Sequence, residues 1–153
     1  ACFNAYSNGN KLIRLHRHQT SAVVDGLKTK FDIKNGFLPL HEYYQYLKYS
    51  KFALSPFGWG AICWKDFEIF ITGTLLLKPD MGHIETWPNY YIENETYVPY
   101  KWDALNLKST IEQFYSNKDL AERIACAGQD KYKYYNVLNN PKPFLNRFQK
   151  IFN

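Results

Sequence analysis

Residues Ser55 to Asp80 read SPFGWGAICWKDFEIFITGTLLLKPD, and this stretch decides the fold. Phe52-Ala53-Leu54 just before it is a short apolar run, the mark of a buried strand, and Ser55-Pro56 ends it. A glycine-bearing loop follows, Phe57 to Ala61. From Ile62 to Thr72 the pattern is helical, and Gly73 supplies the stop. Thr74 to Leu77 is a second buried strand, ended by Lys78-Pro79-Asp80. Strand, glycine loop, helix and strand in that order predict a parallel crossover unit, with the two strands as sheet neighbours.

Outward from this unit the alternation continues. Ala1 to Ser7 is a strand candidate. Val23, Val24, Leu27 and Phe31 fall three or four apart, as on one face of a helix spanning about 13–31. Pro39 opens a helix through about Tyr49. Residues 81–94 carry no regular pattern, and Thr96 to Tyr100 is a third strand candidate after the two of the central unit. Helices are expected over Leu105–Tyr115 and from Asn117 to about Gly128, with Asn117 or Asp119 as cap. After Pro141 and Pro143 a last helix carries Phe144, Phe148 and Phe152 four apart, a stripe that should pack on the body or on a partner domain. The fold expected is α/β: a single domain over 1–153, with a parallel sheet of about five strands and helices on both faces.

Length and composition agree with one domain. A chain of 153 residues can bury about 70% of its unfolded surface. Charged residues at 22% and apolar residues at 46% exclude a disordered chain. Apolar runs such as Leu75-Leu76-Leu77 are too short for a transmembrane segment. Cys2, Cys63 and Cys126 form no C-x-x-C pair, which points to a reducing compartment and a cytoplasmic location. The chain starts at Ala1 without a Met, which suggests processing or a piece of a longer protein.

Gly58 and Gly60 let the loop backbone approach a ligand closely or take positive φ, and the following helix start favours an anion. Lys65 and Glu68 are three apart and share a helix face. They read either as phosphate and sugar-hydroxyl contacts or as a surface ion pair beside a turn. The loop lacks G-x-G-x-x-G and a Walker-type lysine, so it is no standard dinucleotide or NTPase loop.

The series resembles the donor site in the C-terminal domain of GT-B-type glycosyltransferases, closest to the exostosin-like and CAP10-like branches. The pattern is a strand, S-P-x-G-x-G, a basic residue (Lys65, where Arg is more usual), an acidic residue three later (Glu68), then G-x-x-L-x-K. The resemblance continues through His83, residues 85–89 and 95–99, Trp102-Asp103 and the helix pair ending at Gln129. It implies a Rossmann-like sheet and metal-independent transfer of a sugar, with no cofactor, from a nucleotide-sugar donor to a glycan or other acceptor. It also implies an acceptor domain N-terminal to this chain, so that these residues are about half of an enzyme. Ser55, Gly58, Trp59, Gly60 and Lys65 would hold the donor nucleotide and its diphosphate, and Glu68 its ribose. No catalytic residue is named by the match. Ala61 stands where related sequences often carry an acidic residue, so the alternative is a non-catalytic nucleotide or sugar-phosphate binding module.

Two further groups are candidates. In Arg14-Leu15-His16-Arg17-His18, Arg17 can reach a diphosphate and Arg14 is the weaker candidate, while His16 and His18 taken singly read as a solvated basic turn. Asp80, His83, Glu85 and Thr86 can touch the transferred sugar as a set; singly, each reads as part of a packed loop anchored by Trp87. Tyr132, Tyr134 and Tyr135 interleave with Lys131 and Lys133, which superficially suggests a nucleic-acid platform. With a net charge of only +5, the reading preferred is a solvated helix end with packed rings and no nucleic acid bound.

Overall fold

The computed structural model describes residues 11–152. The elements are α1 (Lys11–Gly26), α2 (Leu40–Tyr49), β1 (Phe52–Leu54), α3 (Trp64–Thr72), β2 (Leu75–Pro79), β3 (Val98–Tyr100), α4 (Leu107–Ser116), α5 (Lys118–Tyr135) and α6 (Lys142–Phe152). The chain is mixed α/β. Its sheet has three parallel strands in the order β1-β2-β3, with Leu54 opposite Leu77 and Leu77 opposite Val98. The expected β1–α3–β2 unit is present with β1 and β2 paired. Three strands, rather than about five, form the sheet among the described residues; the candidate strand Ala1–Ser7 lies outside them.

Every residue of β2 is buried, as a strand covered on both faces must be. Successive side chains alternate between two cores. Leu75 and Leu77 face one side with Leu54 and Val98, against Val24 of α1, Leu107, Ile111 and Phe114 of α4 and Ile124 of α5. Leu76 faces the other with Ala53 and Tyr97, against Leu47 of α2 and Ile69 and Phe70 of α3. Helices therefore cover both faces of the sheet.

Local chemistry explains the boundaries. α3 stops because Gly73 takes φ +70, and its N–H closes onto the carbonyls of Ile69 and Phe70. The Asn117 side chain accepts the Leu120 N–H at 3.2 Å and starts α5. α5 runs on to Tyr135, two turns past the expected end near Gly128. That glycine is not a stop. A Cβ there would sit 2.6 Å from the Thr96 carbonyl oxygen and 3.0 Å from the Phe70 ring, so it is a close-packing position inside the helix. α6 has no buried residue, and the ring of Phe144 near its start lies 6.5 Å from that of Trp87. Among the described residues no helix is long and apolar enough to cross a membrane.

Candidate functional site

Side chains converge where β1, β2 and β3 end, the edge at which parallel sheets bind ligands. Ser55 follows β1, Lys78 lies near the end of β2, and Tyr100 closes β3. All three are buried to within 1%. The Lys78 ammonium lies 3.0 and 3.1 Å from the two carboxylate oxygens of Asp66, which is also fully buried. It also donates to the Ser55 carbonyl at 3.4 Å. The same carboxylate accepts the Tyr91 hydroxyl at 2.8 Å and the Cys63 N–H at 3.0 Å. One carboxylate thus ties α3, β2, the 81–94 loop and the glycine loop together. Burial and the neighbouring Asp66 charge drive the Tyr91 hydroxyl far above the ordinary tyrosine range, so it stays a donor. Its pairing with Asp66 was not read from the sequence, where Lys78 ends an apolar run and closes the G-x-x-L-x-K pattern without a role.

Gly58 and Gly60 do not take positive φ. A side chain at Gly58 would meet its neighbours only at ordinary contact distance. A Cβ on it would lie 3.7 Å from an Arg17 guanidinium nitrogen and 3.4 Å from the Cys63 sulfur. Arg17 and the glycine loop, 40 residues apart in sequence, are therefore brought together. Burial lowers the Arg17 pKa from its ordinary value, though a guanidinium remains charged at any working pH. Trp59 is 88% exposed, and so is Trp64, which flanks the loop on its far side. Ser55 lies beneath the loop rather than in it, with its N–H donated to the Leu77 carbonyl at 2.9 Å.

Lys65 and Glu68 both turn toward α2. The Lys65 ammonium is 5.8 Å from the centre of the Tyr43 ring. The Glu68 carboxylate accepts the Tyr43 hydroxyl at 2.7 Å and the Tyr44 hydroxyl at 3.0 Å. That bond raises the Tyr44 pKa, since losing its proton would set two anions together. Lys65 stands in the wall of a cavity of about 490 Å³ along the outer edge of β1, shared with Tyr43, Leu54 and Phe31. Glu68 is not in that wall.

A second cleft, of about 750 Å³, opens at the ends of β2 and β3. Asp80 and His83 line it, with Tyr100, Trp102 and Asp103. Glu85 and Thr86 do not. Glu85 is exposed, and Thr86 sits beside Trp87, which packs on Tyr135 and Phe144.

In the basic cluster Arg14 and His18 are exposed, as a solvated turn requires. His16 is not: it is fully buried, with its ring 4.3 Å from Trp102 and 5.7 Å from Phe57. Its Nδ1 lies 2.8 Å from the Trp102 carbonyl, which can only accept, so Nδ1 carries the proton. Burial lowers the His16 pKa, and the nearby charges of Arg17 and Lys78 add to that. The ring is therefore neutral. The helical period betrays it weakly, since His16, Thr20 and Val24 are four apart and all buried.

Among the described residues no group of three or more His, Cys, Asp or Glu side chains is placed to hold a metal ion. No protein-family model, curated protein or solved structure matches the chain.

Proposed function

We propose that this chain is the donor-binding domain of a GT-B-type glycosyltransferase, with a Rossmann-like sheet, taking a nucleotide sugar and delivering the sugar to a glycan or other acceptor on a second domain. The observation that carries the reading is the Arg17 guanidinium against Gly58 at the carboxyl end of β1. A cation beside a loop with two glycines at that edge of a parallel sheet suits a diphosphate. Arg17 and the loop backbone hold the phosphates. Lys65 neutralises charge from the other side of the α3 start. The α3 N-terminus contributes less than a bare helix end, because Asp66 already takes the Cys63 amide. Glu68, oriented by Tyr43 and Tyr44, retains lone pairs on both oxygens and accepts from ribose hydroxyls. Asp80 and His83 lie in the neighbouring cleft, within the same edge of the sheet, and meet the sugar.

A second reading keeps the binding site without the transfer. It rests on Ala61 and on a Glu68 carboxylate already engaged by two tyrosines.

Titration calorimetry with a panel of nucleoside diphosphates and a single-stranded oligonucleotide tests the proposal. Binding of one diphosphate, lost in Arg17→Ala, and no binding of the oligonucleotide is the outcome expected. No heat with any diphosphate would overturn both readings. By itself the chain should bind the diphosphate and transfer no sugar; sugar transfer from the matching donor once the chain is joined to its acceptor domain, followed by chromatography, separates the first reading from the second.

A further inference from the structure

We propose that α6 is a membrane-surface element that lies flat on an anionic lipid interface. The proposal does not depend on the donor-site reading. At 100° per residue, Phe144, Phe148, Phe152, Leu145 and Ile151 fall on one face of α6 about 120° wide. Lys142, Asn146, Arg147, Gln149 and Lys150 occupy the rest. No residue of α6 is buried, and the apolar face grows more exposed along the helix, from 44% at Phe144 to 51% at Phe148 and 72% at Phe152. The rings form one ladder leaving the body: Trp87 to Phe144 at 6.5 Å, Phe144 to Phe148 at 6.1 Å, Phe148 to Phe152 at 4.6 Å. A contiguous exposed apolar surface of this kind marks an interaction site.

Charge decides the occupant. α6 carries three cations and no acidic residue. A second copy seated on this face by a two-fold axis would bring the basic flanks of one helix against those of the other, with no carboxylate on α6 to pair with them. An anionic bilayer suits both halves of the helix. Its acyl boundary takes the phenylalanines, and its headgroups take Lys142, Arg147 and Lys150. Trp87, 42% exposed at the foot of the ladder, and Tyr134, 57% exposed on the adjoining helix, are the residue types that settle at headgroup level. At about 1.5 Å per residue, α6 spans about 16 Å, enough to lie in an interface and too little to cross a bilayer.

Co-sedimentation of the full chain with vesicles tests this, using phosphatidylcholine with and without phosphatidylserine. The chain should pellet with the anionic vesicles and stay largely in solution with the neutral ones. The double change Phe148→Ser and Phe152→Ser should weaken partitioning about tenfold or more. Lys150→Gln should weaken it about fivefold, and added salt should do the same. Because none of the changed α6 residues is buried, circular dichroism and the thermal midpoint of the body should be unchanged in these variants. No pelleting with anionic vesicles, or equal pelleting of the double variant, would overturn the proposal. So would a dimer in light scattering that the Phe148→Ser and Phe152→Ser change dissolves, since it would give the face to a second copy.

Discussion

Lys78 holds a position in β2 where the preceding three residues are leucine, and it is as buried as they are. An ammonium is held there because Asp66 meets it with both oxygens, the Ser55 carbonyl accepts from it, and Tyr91 and the Cys63 amide satisfy the rest of the carboxylate. Removing one partner strands the other charge in the core. Asp66→Ala should therefore lose about 3–5 kcal/mol of stability, and the pair Asp66→Asn with Lys78→Met should recover most of it; urea denaturation reads both. At the candidate site, Lys65→Ala and Glu68→Ala should each weaken nucleoside diphosphate binding by about 1.5–3 kcal/mol, the range for hydrogen bonds to charged groups. Lys65→Arg should bind as well or better, and Lys131→Ala should change nothing. Calorimetry on folded variants decides it: full affinity in both alanine variants would move the site elsewhere, and an equal loss at Lys131 would reduce it to non-specific charge. Spacing alone made Lys65 and Glu68 legible as a pair on one face. It had no access to Tyr43 and Tyr44, which lie on another helix and determine where that face points.

At the scale of elements, the β1–α3–β2 unit was readable because its signals are local: apolar runs of three or four, a proline after one, a glycine after the helix. α5 was misjudged at its end for an equally local reason. Glycine is a common helix stop, and Gly128 follows an apolar stripe. Its use is tertiary, since it lets α5 lie against the Thr96 carbonyl and the Phe70 ring. Gly128→Ala should then destabilise the fold by about 1–3 kcal/mol through overpacking. This is opposite in sign to the gain of about 1 kcal/mol that alanine gives an open helix. A denaturation midpoint that rises in the variant would refute the packing account. Past Gly128, Tyr132 and Tyr135 pack on Tyr90, and Tyr132 also on Phe67, so two of the three tyrosines in the tyrosine and lysine run cover the 81–94 loop.

Across the whole molecule, His16 joins α1 to the segment after β3 through the Trp102 carbonyl, over 86 residues of chain. Its folded pKa lies below the ordinary histidine value of about 6.5, so the unfolded chain binds the extra proton first as pH falls. The stability it contributes is full above about 6.5 and is lost as pH drops through the lower folded value. The thermal midpoint should fall between about pH 7 and pH 5, and His16→Asn, which keeps a donor for the Trp102 carbonyl, should flatten that part of the curve. A slope unchanged in the variant would assign it to other groups. The sequence by itself determined the α/β class, the parallel pairing of β1 with β2 and most helix starts, because hydrophobic period, caps and glycine stops act within a few residues. Only the tertiary structure decided that Arg17 meets Gly58, that Lys78 and Asp66 form a buried pair, and that His16 is core rather than surface. Those outcomes depend on distances between segments far apart in the chain, and burial turns a residue's charge from a surface ornament into a constraint that specific partners must satisfy.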